Sequence, residues 1–436
     1  MVTKRSDYAI TRDVSAQQSP TSELNAHSKT ILLVGGSVRA AAVDAHRAGF
    51  SIVALDHFGD ADLRAVCQQW IHLQRTDAWM DATPQCNATI VPTGGFDWPT
   101  AGPPSHQGLI AFPSKPQFDA MRDPRVLAEL ASDAGIGFPI TFQHDELANV
   151  NPATHHDWMI KPHAGTGGLG IRSLCHINTE PMRPGEYLQE RVSGRPVGVN
   201  FISRFGDAAY QTKLLAAFAG LTHRKNPEHR WLYGGSIGPL GLQDTIPIHI
   251  HQQLCALGDR IAERFELVGL FNVDFILTPD RSLVLLEINP RYSASMELMP
   301  TAGHLVDCHI AAYEENLGHI DRQQADHRFA ALDQHAAGPH RLACKRIVYA
   351  TQPTRFNSSV EDLCKITRDL SEPDGIQVTY HDIPSTNDII PSGYPVLTII
   401  ARYQGEASSV SAQRLIRQTH RIAARIRYCG RCVSIA

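Results

Sequence analysis

Two neighbouring segments of this 436-residue chain place oxygen donors at strand spacing beside a guanidinium. Leu285-Leu286-Glu287-Ile288-Asn289-Pro290-Arg291 is an apolar run that ends in an acid, an amide and an arginine. Phe271-Asn272-Val273-Asp274-Phe275-Ile276-Leu277 sets one carboxylate among aromatic and β-branched residues. Thr278-Pro279-Asp280-Arg281-Ser282 between them has turn composition, so the two runs are expected to form a hairpin. Alternation puts Asp274 and Ile276 on one face of the first strand, and Glu287, Asn289 and Arg291 on one face of the second. If the two faces coincide, Asp274, Glu287 and Asn289 converge as ligands for a hard cation. Mg²⁺ suits such a set, with Mn²⁺ as the alternative. The competing interpretation is an ordinary strand pair with acids near its end.

A second element lies upstream. Trp158-Met159-Ile160-Lys161-Pro162 is expected to be a strand with a lysine near its end, and His163-Ala164-Gly165-Thr166-Gly167-Gly168-Leu169-Gly170 follows it. Gly165, Gly167, Gly168 and Gly170 leave backbone N–H groups unshielded and free to take positive φ, as a phosphate-cradling loop requires. Lys161 would bring a positive charge to the same phosphates. The loop lacks the Gly-Lys-Ser/Thr ending of a Walker A motif, and a flexible hairpin loop is the alternative. Next, Glu186 to Val192 is expected to be a strand whose backbone could line an adenine ring, with Gln189 or Glu190 taking an amine or a ribose hydroxyl.

The elements that must position these groups begin with Thr30–Val34, Gly35-Gly36-Ser37, a helix-like Ala40–Ala45 and Ile52–Leu55, a β-α-β lead into a parallel sheet. Asp56 stands about twenty residues past the glycines, as a ribose-binding acid would in a dinucleotide site. Ser37 and Ala40 replace the later fingerprint glycines, however, which weakens that interpretation. A further strand is expected at Ala88–Val91, and one helix over Gln117–Ala134. Composition is that of a globular protein, with 43% hydrophobic and 19% charged residues and a net charge of −4. No basic block suggests nucleic acid, no apolar run spans a membrane and no secretory leader is evident, so a cytoplasmic location is expected. Nine cysteines lack framework spacing, and Cys429-x-x-Cys432 has no second pair to make a zinc site. The 22 histidines, including His155-His156, form no metal motif.

Taken in order, the β-α-β lead, the lysine with its glycine loop, Gln189-Glu190-Arg191-Val192 and the Asp274/Glu287/Asn289/Arg291 hairpin resemble the ATP-grasp superfamily over about residues 30 to 325. The resemblance implies an α/β fold of α+β lobes. It would have a Rossmann-like pre-ATP-grasp domain at 29–116, an ATP-grasp domain at 117–330 with a small lobe near 155–215, and a C-terminal α+β module at 340–436, after a disordered tail at 1–28. It further implies ATP clamped between lobes, with Lys161 at the phosphates, Gly165, Thr166, Gly167, Gly168 and Gly170 covering them, and Gln189, Glu190 and Val192 framing adenine and ribose. Mg²⁺ would sit on Asp274, Glu287 and Asn289, and Arg291 and Lys161 would serve transfer. Ser293 and Ser295, with Arg291, are expected to touch substrate. A second lysine of the family is missing: Asp123-Pro124-Arg125 stands there, with Arg125 as its nearest stand-in. The basic stretch Gly220–Lys225 is a further candidate for anion contact.

The expected activity is ATP-dependent, ADP-forming ligation of a small-molecule carboxylate to an amine through an acyl phosphate. A biotin-carboxylase-like carboxylase and a catalytically inactive nucleotide-binding regulator are the alternatives. Asp382-Ile383-Pro384 and Ser392–Val396 resemble a module of relatives linked to methanofuran and tetrahydromethanopterin one-carbon metabolism, such as tyramine–glutamate ligases. A homodimer is one expectation for the assembly.

Overall fold

The computed structural model describes residues 30–74, 79, 88–98, 108–144, 146, 158–174, 182–206, 208–222, 230–240, 248–299, 303–336, 342–370, 375–405, 408–428 and 433–435. The expected tail at 1–28, His155-His156, His223–Lys225 and Cys429/Cys432 lie outside them.

The chain opens with β1 (Thr30–Val34), α1 (Arg39–Arg47), β2 (Ser51–Asp56), α2 (Ala61–Arg64), β3 (Gln69–His72) and β4 (Thr89–Pro92). They form a parallel sheet in the order β3-β2-β1-β4. The near-continuous apolar strands reflect burial on both faces. Asp56, the candidate ribose acid, instead accepts from the backbone N–H groups of Phe58 and Gly59 and from Trp70 Nε1, which closes the turn after β2. A Cβ at Gly35 would lie 2.1 Å from Thr93 Oγ1, so the neighbouring loop accounts for that glycine without a dinucleotide.

Where one helix is expected, the structure has two, α3 (Lys115–Ala120) and α4 (Pro124–Asp133). Pro124 has no N–H for a continuing helix, and the Asp123 carboxylate caps α4 by accepting from Arg125 N at 2.8 Å. A small antiparallel sheet follows, from β5 (Thr141–Phe142), β6 (Trp158–Pro162), β7 (Arg172–Ser173) and β8 (Glu186–Glu190), in the order β5-β8-β6-β7. β8 stops at Glu190, two residues short of the expected strand end.

Next come β9 (Arg195–Gly206), β10 (Ala209–Thr222), β11 (Tyr233–Gly238), α5 (Ile248–Phe265), β12 (Gly269–Leu277) and β13 (Leu283–Asn289). A 3₁₀ turn at Met296–Leu298, α6 (Leu305–Asn316) and α7 (Arg322–Ala336) complete the middle of the chain. The C-terminal part holds β14 (Ala343–Tyr349), β15 (Thr354–Phe356), α8 (Val360–Leu370), β16 (Ile376–His381), β17 (Ile389–Ile390), β18 (Pro395–Tyr403), α9 (Ser409–Tyr428) and β19 (Val433–Ile435). One eight-stranded sheet runs β13-β12-β9-β10-β11-β14-β18-β16, so three C-terminal strands extend the sheet that carries the hairpin. Gly220–Thr222, expected as part of a basic loop, is the end of β10.

The large sheet is two-faced. Phe271, Val273 and Phe275 of β12 are wholly buried with Phe201 of β9 against Leu254, Leu257 and Ile261 of α5. Each such side chain stabilises the fold by roughly 1.5–3 kcal/mol. Asn272 and Asp274, on the alternate positions, therefore face the opposite way, into the cleft between the large sheet and the small one.

Candidate active site

β12 and β13 pair antiparallel with Asp274 opposite Glu287 and Asn272 opposite Asn289. A bulge shifts the register so that Phe275 faces Leu285, leaving Leu286 as the extra residue. The bulge separates two environments: Leu285 is wholly buried in the core, while Leu286, Glu287 and Asn289 line the cleft. Gly198 of β9 lies opposite Asp274. A Cβ there would come within 3.0 Å of Asp274 Oδ1 and Asn272 Nδ2, so glycine leaves room for both.

The structure brings the two sequence-predicted elements together. Lys161, at the end of β6, lines the same cleft as Glu287 and Asn289, together with Gly165 to Leu169 of the loop. Its ammonium donates to Gln189 Oε1 at 3.1 Å and lies 5.8 Å from the centroid of the Tyr187 ring. Gln189 in turn donates to Thr141 Oγ1, so its amide bridges the lysine and β5. Glu190 closes β8 on Ile140, accepting from Ile140 N at 3.3 Å, and Val192 follows the end of that strand. Gln189 is 1% exposed and makes both of its bonds, to Lys161 and Thr141, inside the small sheet.

The glycine loop is docked on the opposite wall. Tyr233 N donates to Gly167 O at 2.9 Å, and a Cβ on Gly168, whose φ is +82°, would lie 1.9 Å from the Trp231 carbonyl oxygen. Arg291 reaches Thr166 Oγ1 at 3.5 Å from beneath. Two arginines flank Asp123, where the family's second lysine was expected. Arg125 is 60% exposed and pairs with Glu146, whereas Arg122 lines the cleft, lies 4.0 Å over the Phe118 ring and stands close enough to Arg291 to depress its pKa. Sequence reasoning named Arg125 and not Arg122, because the Asp-Pro-Arg order draws attention to the C-terminal side of Asp123.

Charge is concentrated here. Burial and the adjacent Glu287 hold the Asp274 carboxyl well above its ordinary pKa. Glu287 opens to the cleft yet is crowded by protein. The desolvation that would raise it is outweighed by Lys161, Asn289, Asp274 and Arg291, and its pKa falls. Desolvation opposes the Lys161 ammonium, but Tyr187, Glu287 and Asp274 overcome it and raise its pKa. Burial brings Arg291 down to about 10, still cationic at neutral pH. Among the described residues no cluster of three or more His, Cys, Asp or Glu could hold a metal by itself. Two facing carboxylates, to both of which the Asn289 amide nitrogen donates at 3.1 Å, are instead the partial set that Mg²⁺ takes when phosphates complete its shell. The donor set therefore fits that ion.

Ser293 and Ser295, expected to touch substrate, are both engaged by Asn200. Its Oδ1 accepts from Ser293 Oγ at 2.8 Å, and its Nδ2 donates to Ser295 Oγ at 3.1 Å. Ser295 is 7% exposed and joins the loop after the hairpin to β9 through Asn200.

Comparison with known proteins bears on the family and the fold. Residues 123–295 match the ATP-grasp domain family. The chain is 23% identical over 248 residues to uncharacterized protein MJ0776 of Methanocaldococcus jannaschii, covering 56% of this chain and 50% of that protein, so it spans about half of that relative's length. The fold is similar to L-amino acid ligase from Bacillus licheniformis (TM-score 0.59, 11% identity, 90% of this chain and 97% of that one). It is also similar to the biotin carboxylase domain of Hydrogenobacter thermophilus 2-oxoglutarate carboxylase, in complex with MgADP, ADP and bicarbonate (TM-score 0.56, 13% identity, 90% and 89%). Both likenesses concern the fold. With the lysine, glycine loop and acidic hairpin on one cleft, residues 123–295 of this chain are an ATP-grasp domain.

Proposed function

We propose that this chain is an ATP-dependent, ADP-forming ligase that joins a carboxylate to an amine through an acyl phosphate. The observation that carries the proposal is the shared cleft: Lys161 and the glycine loop on one wall, Glu287 and Asn289 on the other, with Arg291 under Thr166. Asp274, Glu287 and Asn289 would hold Mg²⁺, which when bound neutralises charge on the terminal phosphates of ATP. Lys161 and Arg122 face the phosphates as fixed cations, and Arg291 stabilises the charge that develops on the phosphoryl group in flight. The substrate carboxylate oxygen attacks the γ-phosphorus, and the bond to the ADP oxygen breaks. The amine nitrogen then attacks the acyl carbon, phosphate leaves with the bonding pair, and the amine gives up a proton. Gly165 to Gly170 exclude water so that the acyl phosphate meets the amine first.

A carboxylase using bicarbonate as its carboxylate is the second reading, favoured by the likeness to a biotin carboxylase domain bound to MgADP and bicarbonate. A role in one-carbon cofactor assembly is a finer proposal supported by the two C-terminal segments named above. One experiment separates these readings: ADP release with Mg²⁺, with and without bicarbonate, against amino acids, amines and methanofuran-type precursors. We expect turnover that requires both a carboxylate and an amine. Turnover with bicarbonate alone would replace the ligase by the carboxylase. ATP binding without ADP release across the panel would leave a nucleotide-binding regulator.

A further inference from the structure

The strand order β3-β2-β1-β4 puts a topological switch point between β1 and β4. Open parallel sheets take their ligands there, beyond the carboxyl ends of the strands. The loops that leave these strands are Gly35-Gly36-Ser37 and Thr93-Gly94-Gly95-Phe96. They are stitched together, with Thr93 N donating to Val34 O at 2.8 Å and Gly36 N to Gly94 O at 2.7 Å. Gly94 turns its open side toward the ATP-grasp domain. A Cβ built on it would lie 3.6 Å from Arg291 Nε and 4.0 Å from Thr166 Oγ1, and would meet nothing else within 4 Å outside the adjoining residues. A Cβ on Gly95 would lie 3.7 Å from Thr166 Cγ2.

The groups around this space have donors to spare. A guanidinium carries several N–H donors, yet among the described residues that of Arg291 makes only the 3.5 Å bond to Thr166 and no ion pair. The half-buried Gly94 and Gly95 likewise have N–H groups that bond nothing among the described residues. Backbone conformation does not require glycine at 94, because its φ is not positive and its Cβ would make only ordinary contacts. Gly35 and Gly95 differ: a Cβ on the first would strike Thr93, and the second has a φ of +84°. We propose that the substrate carboxylate binds between the Gly94–Gly95 backbone and the Arg291 guanidinium, and that Gly94 is a specificity-determining position whose lack of a side chain leaves room for it. Thr166 borders both this space and the cleft lined by Lys161 and the glycine loop, so carboxylate and terminal phosphate would meet beside it. The inference rests on the ligase reading and locates the carboxylate that this reading requires.

The test is Gly94→Ala in the full chain. Nucleotide binding is measured by calorimetry with Mg²⁺ and a non-hydrolysable ATP analogue, which needs no turnover. Carboxylate use is measured as ADP release with glycine, L-alanine and L-glutamate as probes, each in the presence of an amine. The added methyl should raise the KM for the carboxylate by about 10- to 100-fold, while affinity for the analogue stays within a few-fold of the parent. Gly94→Ser repeats the measurement should alanine disturb folding, as judged by circular dichroism. A variant with parental KM for the carboxylate overturns the inference. So does one that loses the analogue as strongly as the carboxylate, since the space would then belong to the nucleotide. A parent chain that binds the analogue but releases ADP with none of the probes overturns the ligase reading with these acids, a distinct outcome that takes the inference with it.

Discussion

At the scale of single residues, the site is a set of charges whose neighbours decide their use. Lys161 is 8% exposed, anchored by Gln189 and faced by two acids, so its ammonium is held charged at a fixed place on the cleft. Lys161→Met and Glu287→Gln should each lower kcat for ADP release by about 10²- to 10³-fold, the usual cost of losing one preorganised charge partner in a transition state. A coupled assay at saturating ATP checks this. Arg122 and Arg125 make a sharper pair. Arg122→Ala should raise the KM for ATP by about tenfold, corresponding to a charged hydrogen bond of some 1.4 kcal/mol, whereas the exposed Arg125→Ala should leave it nearly unchanged.

At the scale of elements, the glycine loop and the hairpin meet only because other segments clamp them. Gly168 combines a positive φ with a backbone carbonyl where its Cβ would sit. Gly168→Ala should therefore lift the loop, lower kcat and increase the share of ATP hydrolysed without product. The ratio of ADP to ligated product measures that leak. Another clamp joins β12 to the N-terminal unit: His309 Nδ1 accepts from Leu270 N at 2.9 Å and its Nε2 donates to Ala111 O at 3.0 Å. Both nitrogens are occupied, and burial lowers the ring's pKa to about 4. In the unfolded chain this ring takes its proton near pH 6.5, so the native state binds fewer protons between those values. The contribution is complete above about pH 6.5 and is lost as pH falls toward 4, by about 3 kcal/mol from the pKa difference. His309→Gln should flatten this part of the stability profile in urea unfolding at several pH values.

At the scale of the molecule, one buried ionic knot binds three parts of the chain. Arg39 of α1 donates to Glu297 Oε2 at 2.5 Å and to Asp382 Oδ1 at 2.8 Å, and Lys345 of β14 also pairs with Glu297. The side chains of Arg39 and Glu297 are 2% and 8% exposed. Although burial opposes its charge, the Glu297 carboxyl is held far below the usual range by Arg39 and Lys345. Removing one partner leaves a buried charge uncompensated, so Arg39→Ala should destabilise the protein by about 3–5 kcal/mol. Denaturant unfolding should show the N-terminal and C-terminal parts losing stability together. Among the described residues no helix is long and apolar enough to cross a membrane.

Much of the site was legible from residue order alone. Strand-period runs marked the hairpin, and glycine spacing after a lysine marked the loop, because both signals are local consequences of backbone geometry. Strict alternation would have placed Leu285 on the same face as Glu287 and Asn289. The bulge at Leu286, set by how β13 pairs with β12, sent the leucine to the core and the acid to the cleft. The bonding partners of Gln189 and Ser295, the place of Arg122 on the cleft, the Asn200–Asn272–Asn289 row and the joining of C-terminal strands to the central sheet were likewise decided by tertiary structure. Each depends on a partner distant in sequence, and pairing between distant strands leaves no period in the chain that a local pattern can carry.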